Sequence, residues 1–95
     1  LVDYAHNPAA YAALGATGRA LARAQGGRAI GVVTSPGDRR SADLQETGAV
    51  CAASFDVLVA YEVHPRGRQA GQTTAAIVAG ARASGAPCDV SGVPD

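Results

Sequence analysis

Three short polar segments hold the residues of this 95-residue chain that could do chemistry: both histidines and four of the eight basic residues. The segments are residues 3–8, 35–40 and 62–68. In the first, the Asp3 carboxylate can accept hydrogen bonds from ribose hydroxyls or reach a metal ion through water, and His6 can donate to a phosphate or stack on a base. In the third, the guanidinium groups of Arg66 and Arg68 suit carboxylates or phosphates. These residue types indicate binding of a nucleotide, a phosphate or a carboxylate.

Each segment also has a purely structural interpretation. Asp3 and Asn7 could do no more than cap a helix, with His6 packed on its first turn. The second segment could be a turn that Gly37 permits, and the third could be an exposed, solvated loop. The residue types alone do not separate these interpretations from ligand binding.

Glycine, proline and the spacing of apolar residues divide the chain into alternating strands and helices. Asn7 followed by Pro8 predicts a helix start, because Asn caps free backbone N–H groups and Pro at the first helical position loses no hydrogen bond. Continuous apolar runs at 29–33 and 57–60 predict strands buried on both faces of a parallel sheet. The predicted order is a strand ending at 1–2, a helix over 7–25, a strand over 29–33, a helix over 41–55, a strand over 57–60, a helix over 72–84 and a strand over 88–90.

This order predicts an α/β fold, a three-layer Rossmann-like domain with a mostly parallel sheet and helices on both faces. Ligands of such sheets bind beyond the carboxyl ends of the strands, where the three polar segments lie. Apolar spacing also predicts which helix faces are buried. The predicted stripes are Ala10, Leu14, Thr17, Leu21 and Ala24 in the first helix, and Leu44, Gly48, Cys51 and Phe55 in the second.

The composition excludes several functions. Eight basic residues against eight acidic ones give a net charge of zero, so neither a nucleic acid nor an anionic membrane surface is an expected partner. All eight basic residues are arginine, so the chain has no amine for a Schiff base or for a phosphate-binding loop ending in Gly-Lys-Ser/Thr. No apolar run approaches the roughly 18 residues of a membrane span. No signal peptide is recognisable either, and we expect a cytoplasmic protein.

The two cysteines do not indicate a metal site. Cys51 and Cys88 are too few and too far apart for a disulfide framework or a CxxC metal motif. Cys51 falls within an apolar helical stripe, which predicts a small buried core residue.

The polar segments together resemble a known family. Residues 3–8 resemble the hexapeptide that opens the C-terminal domain of the Mur ligases, at a strand-to-helix turn. The tripeptides at 37–39 and 64–66 are similar to the Gly-Asp-Arg and Asn-Pro-Arg motifs that follow in the same order in that family. Residues 36–40 together with 66–68 are most similar to its cyanophycin synthetase branch.

The resemblance implies the C-terminal domain of an ATP-dependent acid–amino acid ligase, which forms an amide or isopeptide bond through an acyl phosphate. It implies that Asp3 and His6 face the nucleotide with Asn7 supporting them, and that Arg39, Arg66 and, more weakly, Arg68 face the amino-acid substrate. No catalytic residue and no metal ligand is expected in this chain. ATP and Mg²⁺ would be bound mainly by a central domain of the same polypeptide, and the amino acid would be Asp or Arg.

Residues 1–95 are expected to form one domain, a fragment of a longer chain trimmed at both ends and inactive alone. Two other readings stay open at this stage. One is a freestanding nucleotide- or phosphate-binding module without catalysis, and the other is a structural or oligomerisation domain. Within the family, a muramyl-peptide or folylpolyglutamate type of ligase is the alternative.

Overall fold

A computed structural model describes residues 7–35, 39–62 and 69–93 of the chain. Its elements are α1 (Pro8–Ala24), β1 (Ile30–Val33), α2 (Ser41–Ser54), β2 (Val57–Tyr61), α3 (Gln72–Ala83) and β3 (Asp89–Val93). These confirm the helices and strands predicted from residue 7 onward, while the strand predicted to end at residues 1–2 lies outside the described residues. Within the described part of the chain, none of the helices is both long and apolar enough to cross a lipid bilayer.

The three strands form a parallel sheet in the order β1-β2-β3. Gly31 pairs in register with Leu58, and Leu58 with Val90, so each row across the sheet points to one face. Each pair of consecutive strands is joined by a helix that returns the chain to the starting edge of the sheet. The next strand therefore runs in the same direction, and the sheet is parallel. The predicted α/β, Rossmann-like class is confirmed.

Helices α2 and α3 pack closely on one face of the sheet. A Cβ atom added at Gly48 of α2 would overlap the carbonyl oxygen of Ile77 in α3, and one at Gly80 of α3 would overlap the carbonyl oxygen of Gln45 in α2. The helices can approach this closely only because both contact points lack side chains. The core beneath them includes the fully buried Leu44, Cys51, Leu58 and Ile77.

The predicted stripe of α2 is confirmed, since Leu44, Gly48, Cys51 and Phe55 are all buried. Burial raises the pKa of the Cys51 thiol to about 12, so that this group stays protonated and inert at neutral pH. The interpretation of Cys51 as a core residue is therefore confirmed.

The predicted stripe of α1 is wrong. Thr17, Leu21 and Ala24 are exposed, and the buried residues of this helix are Tyr11 and Gly15. A Cβ atom at Gly15 would overlap that of Ser54, so α1 packs against the C-terminal end of α2 through its smallest residue. In an alanine-rich helix several faces are similarly apolar, and close approach at a glycine decides between them.

Arg19 fixes α1 in this position. Its guanidinium donates to the carbonyl oxygen of Ala53 at 2.8 Å and lies 3.6 Å from a carboxylate oxygen of Asp56. The other carboxylate oxygen of Asp56 accepts a hydrogen bond from the backbone N–H of Ala29 at 2.8 Å. These contacts join α1 to the amino ends of β1 and β2.

The second face of the sheet differs from the prediction of strands buried on both faces. The side chains of Ile30 and Val32 in β1 are 59% and 64% exposed, and their partners in register, Val57 and Val59, are half-buried. A cavity of about 570 Å³ lies beside β1, between this strand and Leu14 and Leu21 of α1. We call the apolar surface formed by Ile30, Val32, Val57 and Val59 the open face.

Candidate functional site

A polar pocket of about 210 Å³ lies at the carboxyl end of β1. Three elements converge there: the N-terminus of α1, the segment that follows β1, and the first two turns of α2. The lining consists of Asn7, Pro8, Ser35, Arg39, Asp43, Glu46 and Thr47. The pocket thus occupies the edge of the sheet where parallel α/β domains bind their ligands.

Asn7 performs the structural role that the sequence left open. Its Oδ1 accepts a hydrogen bond from the backbone N–H of Ala10 at 2.9 Å, so Asn7 is the N-cap of α1 and Pro8 occupies the first helical position. The cap uses the side-chain oxygen, and the amide NH₂ is the part of Asn7 that carries donors for a ligand. Capping and ligand binding are therefore compatible at this residue.

Tyr11 joins α1 to the strand that bears the site. The ring is buried, and its hydroxyl donates to the carbonyl oxygen of Thr34, just beyond β1, at 3.3 Å. Burial raises the pKa of Tyr11. Tyr11 thus has a structural role, because its buried ring and its hydroxyl hold α1 against the segment that follows β1.

Two consecutive arginines at the start of α2 differ in their surroundings. The Arg40 guanidinium donates to both carboxylate oxygens of Asp43, at 3.0 and 3.2 Å, and the hydrogen bond to Arg40 holds the pKa of Asp43 below its usual range. Arg39, the residue predicted to face the substrate, lies in the pocket lining. Of the two arginines, Arg39 is the one that contributes to the pocket lining, from a position two residues before the first residue of α2.

Glu46 and Thr47 belong to the pocket although sequence reasoning did not select them. They follow Asp43 by three and four residues, which places all three on one side of α2. With Arg39, Asp43 and Glu46, the lining carries one cation and two carboxylates. Helical spacing counted from Arg39 would have been the sequence signal for these residues.

Glu62 lies in the third polar segment, and sequence reasoning assigned it no role. It follows β2 directly and is only 8% exposed. Oε2 accepts from the backbone N–H of Gly71 at 2.8 Å and Oε1 from that of Thr73 at 3.1 Å. The hydrogen bond from Gly71 is the main cause that lowers the pKa of Glu62.

Of the six residues predicted to contact ligands, the structure brings Asn7 and Arg39 together in one pocket. The other four, Asp3, His6, Arg66 and Arg68, lie outside the described residues. Among the residues that are described, no group of three or more His, Cys, Asp or Glu side chains is placed to hold a metal ion.

A parallel α/β sheet with a polar pocket at its carboxyl edge is the architecture of the Rossmann-like class. The family described as Mur ligase, glutamate ligase domain, matches residues 1–95. The chain belongs to the Mur ligase family, in which it forms the C-terminal, glutamate ligase domain. The resemblance inferred from the polar segments is confirmed.

The chain is similar to several named proteins that are ligases. It is 46% identical over 81 residues to cyanophycin synthetase of Synechocystis sp., across 84% of this chain and 9% of that protein. It is 38% identical over 96 residues to cyanophycin synthetase of Crocosphaera subtropica, across 100% of this chain and 11% of that protein. UDP-N-acetylmuramyl-tripeptide synthetase of Leifsonia xyli subsp. xyli is 35% identical over 94 residues, which is 99% of this chain and 18% of the relative. The chain thus spans less than a fifth of the length of these relatives.

Proposed function

We propose that this domain is the C-terminal lid of an ATP-dependent acid–amino acid ligase of the cyanophycin synthetase type. The observation that supports this most directly is the polar pocket, in which a nucleotide-side candidate, Asn7, and a substrate-side candidate, Arg39, share one lining. Relatives named cyanophycin synthetase at 38–46% identity support the same assignment. We place the protein in the cytoplasm, where a ligase of this kind would meet ATP.

ATP with Mg²⁺, bound mainly by a central domain of the same polypeptide, supplies the phosphoryl group that activates a carboxylate for attack by an amine. The donors of the pocket lining, namely the Asn7 amide, the Ser35 hydroxyl and the Arg39 guanidinium, fit the outer contacts of a nucleotide and of an amino acid. We propose that Asp3, His6 and Asn7 face the nucleotide, and that Arg66 and Arg68 assist Arg39 on the amino-acid side.

Arg39 would hold the carboxylate of the incoming amino acid through two parallel N–H···O bonds, because the guanidinium fork matches a carboxylate. Orienting that carboxylate aims the amine at the activated carbon, which lowers the entropic cost of the reaction. Glu46 provides negative charge in the same lining, whereas the charge of Asp43 is balanced by Arg40, so the pocket is complementary to an amino acid that carries charges of both signs. The proposed substrates are Asp and Arg.

The test is ATP-dependent phosphate release by the full-length protein, with single amino acids added in turn and with or without a polymer primer. Arg39→Ala is expected to raise the KM for the amino acid about 10- to 100-fold, since a hydrogen bond to a charged group contributes roughly 1.5–3 kcal/mol. The KM for ATP should change little. Arg23→Ala is the matched control, because Arg23 is an exposed arginine in the last turn of α1, away from the pocket lining.

Two results would contradict the proposal. One is the absence of any amino acid that stimulates phosphate release. The other is an Arg39→Ala variant whose KM for the amino acid equals that of Arg23→Ala.

The muramyl-tripeptide synthetase relative supports a second candidate within the family, addition of an amino acid to a muramyl peptide. The same assay separates the two candidate functions. A polymer primer should be the acceptor in the first, and a UDP-linked muramyl peptide in the second.

A further inference from the structure

Glu46 and Asp43 both contribute a carboxylate to the polar pocket, but only one of them is paired within the chain. The Asp43 carboxylate accepts hydrogen bonds from Arg40 at 3.0 and 3.2 Å, so its charge is balanced. Neither of the two ion pairs that join described residues involves Glu46. Because Glu46 is exposed and lines the pocket, a ligand there can reach its carboxylate.

Arg39 and Glu46 line the pocket from backbone positions that are well separated along α2. Arg39 precedes the first residue of this helix by two positions, and Glu46 follows that residue by five. A helix rises about 1.5 Å per residue, so Glu46 lies about 7.5 Å along the axis from the start of α2. The positive and the negative side chain are thus more than one helical turn apart at the backbone.

This separation matters for an amino acid whose carboxylate is held by Arg39. Its α-amino group is attached to the same carbon as the carboxylate and stays beside Arg39, whereas a cation at the end of a long side chain lies several bonds away. The chemistry favours the same assignment. An amine that attacks an activated carboxylate must be unprotonated, and an ion pair with Glu46 would raise its pKa and retain its proton. Glu46 therefore suits a side-chain cation better than it suits the attacking amine.

We propose that Glu46 determines the specificity of the pocket for the side chain of the incoming amino acid, by pairing its carboxylate with a cationic group such as the guanidinium of arginine. This inference rests on the proposed function, because it takes Arg39 as the group that holds the amino acid's own carboxylate. A guanidinium and a carboxylate match in two parallel hydrogen bonds, whereas an acidic side chain would be repelled. Of the two proposed substrates, arginine is thus the one that this pocket accepts.

The test compares arginine with citrulline, its neutral isostere, in the phosphate-release assay on the full-length protein. Citrulline keeps the α-amino and carboxyl groups and replaces the guanidinium with an uncharged urea group, so the ratio of the two KM values reports the side-chain contact. In the wild type, the KM for citrulline should exceed that for arginine about tenfold or more. In Glu46→Gln, the KM for arginine should rise to near that for citrulline, and the KM for citrulline should change little.

Asp89→Asn is the matched control, because it also removes one exposed carboxylate. Asp89 is the first residue of β3 and pairs in register with Val57, the first of β2, so it lies at the amino edge of the sheet, opposite the pocket. This variant should keep the wild-type ratio of the two KM values. Both substitutions change exposed side chains, so both variants should fold. Arg39→Ala should raise both KM values by a similar factor, because arginine and citrulline share the carboxylate.

The outcomes separate this inference from the proposed function. If no amino acid stimulates phosphate release by the wild type, the proposed function is overturned and this inference with it. The role of Glu46 alone is overturned if an active wild type uses aspartate but not arginine, or if Glu46→Gln keeps the wild-type ratio of the two KM values. It is also overturned if Asp89→Asn loses that ratio to the same extent. An equal fall in kcat for arginine and citrulline at an unchanged ratio would instead assign Glu46 to the attacking amine.

Discussion

Asn7 illustrates how one side chain can satisfy two demands at the edge of a binding site. Its oxygen closes the first turn of α1, and the residue also lines the polar pocket together with Arg39. The sequence offered capping and nucleotide contact as alternatives, and the geometry shows that the cap is formed. Contact with the nucleotide stays a prediction.

Two variants of Asn7 separate these roles. Asn7→Ala should lower the free energy of unfolding by about 1 kcal/mol, because the N–H of Ala10 loses its acceptor. Asn7→Asp keeps an acceptor and should retain the stability, but it removes the NH₂ donor and should raise the KM for ATP. Urea unfolding and steady-state kinetics measure the two effects. An Asn7→Asp variant with wild-type stability and an unchanged KM for ATP would reduce Asn7 to a cap.

At the scale of elements, the α2–α3 contact depends on two glycines that face each other's backbone. The spacing of Leu44, Gly48 and Cys51 predicts which side of α2 is buried, but it does not predict that Gly48 meets a carbonyl oxygen of the neighbouring helix. That contact depends on the distance between the helix axes, which the small residues at the contact determine.

Gly48→Ala should therefore be destabilising by about 1–3 kcal/mol, because the added methyl group forces the two helices apart. Gly18→Ala is the matched control in α1. No atom lies within 4 Å of a Cβ at Gly18, so alanine should stabilise the protein by about 0.5–1 kcal/mol through its helix propensity. Chemical denaturation of both variants measures the difference, and a Gly48→Ala protein as stable as Gly18→Ala would show that the helices are not in close contact.

At the scale of the whole molecule, the sheet is asymmetric. One face is sealed by α2 and α3, and the open face presents Ile30 and Val32. A continuous apolar run is typical of a strand that is covered on both faces. Among the described residues of this chain, however, none covers the side chains of Ile30 and Val32 fully, so the sequence pattern predicts more burial than these residues provide.

This asymmetry predicts that substitutions on neighbouring strands change the free energy of unfolding by very different amounts. Leu58→Ala removes a fully buried side chain and should cost about 2–5 kcal/mol of unfolding free energy. Val32→Thr changes a side chain that is 64% exposed and should stay within about 0.5 kcal/mol of wild type. Thermal or urea unfolding of the isolated chain provides the measurement. A Val32→Thr variant as unstable as Leu58→Ala would show that the open face is covered.

The sequence by itself determined the alternation of strands and helices, the buried side of α2 and the placement of the second and third polar segments after β1 and β2. These follow from local rules: Asn7 and Pro8 start a helix, apolar runs form strands, and parallel strands direct their carboxyl ends to one edge. Only the tertiary structure decided which face of α1 is buried, that Asn7 and Arg39 share one pocket, and that Glu62 accepts hydrogen bonds from the start of α3. Each of these depends on distances between elements remote in the chain, and such distances are set by close packing at glycines and by buried backbone groups that must find partners.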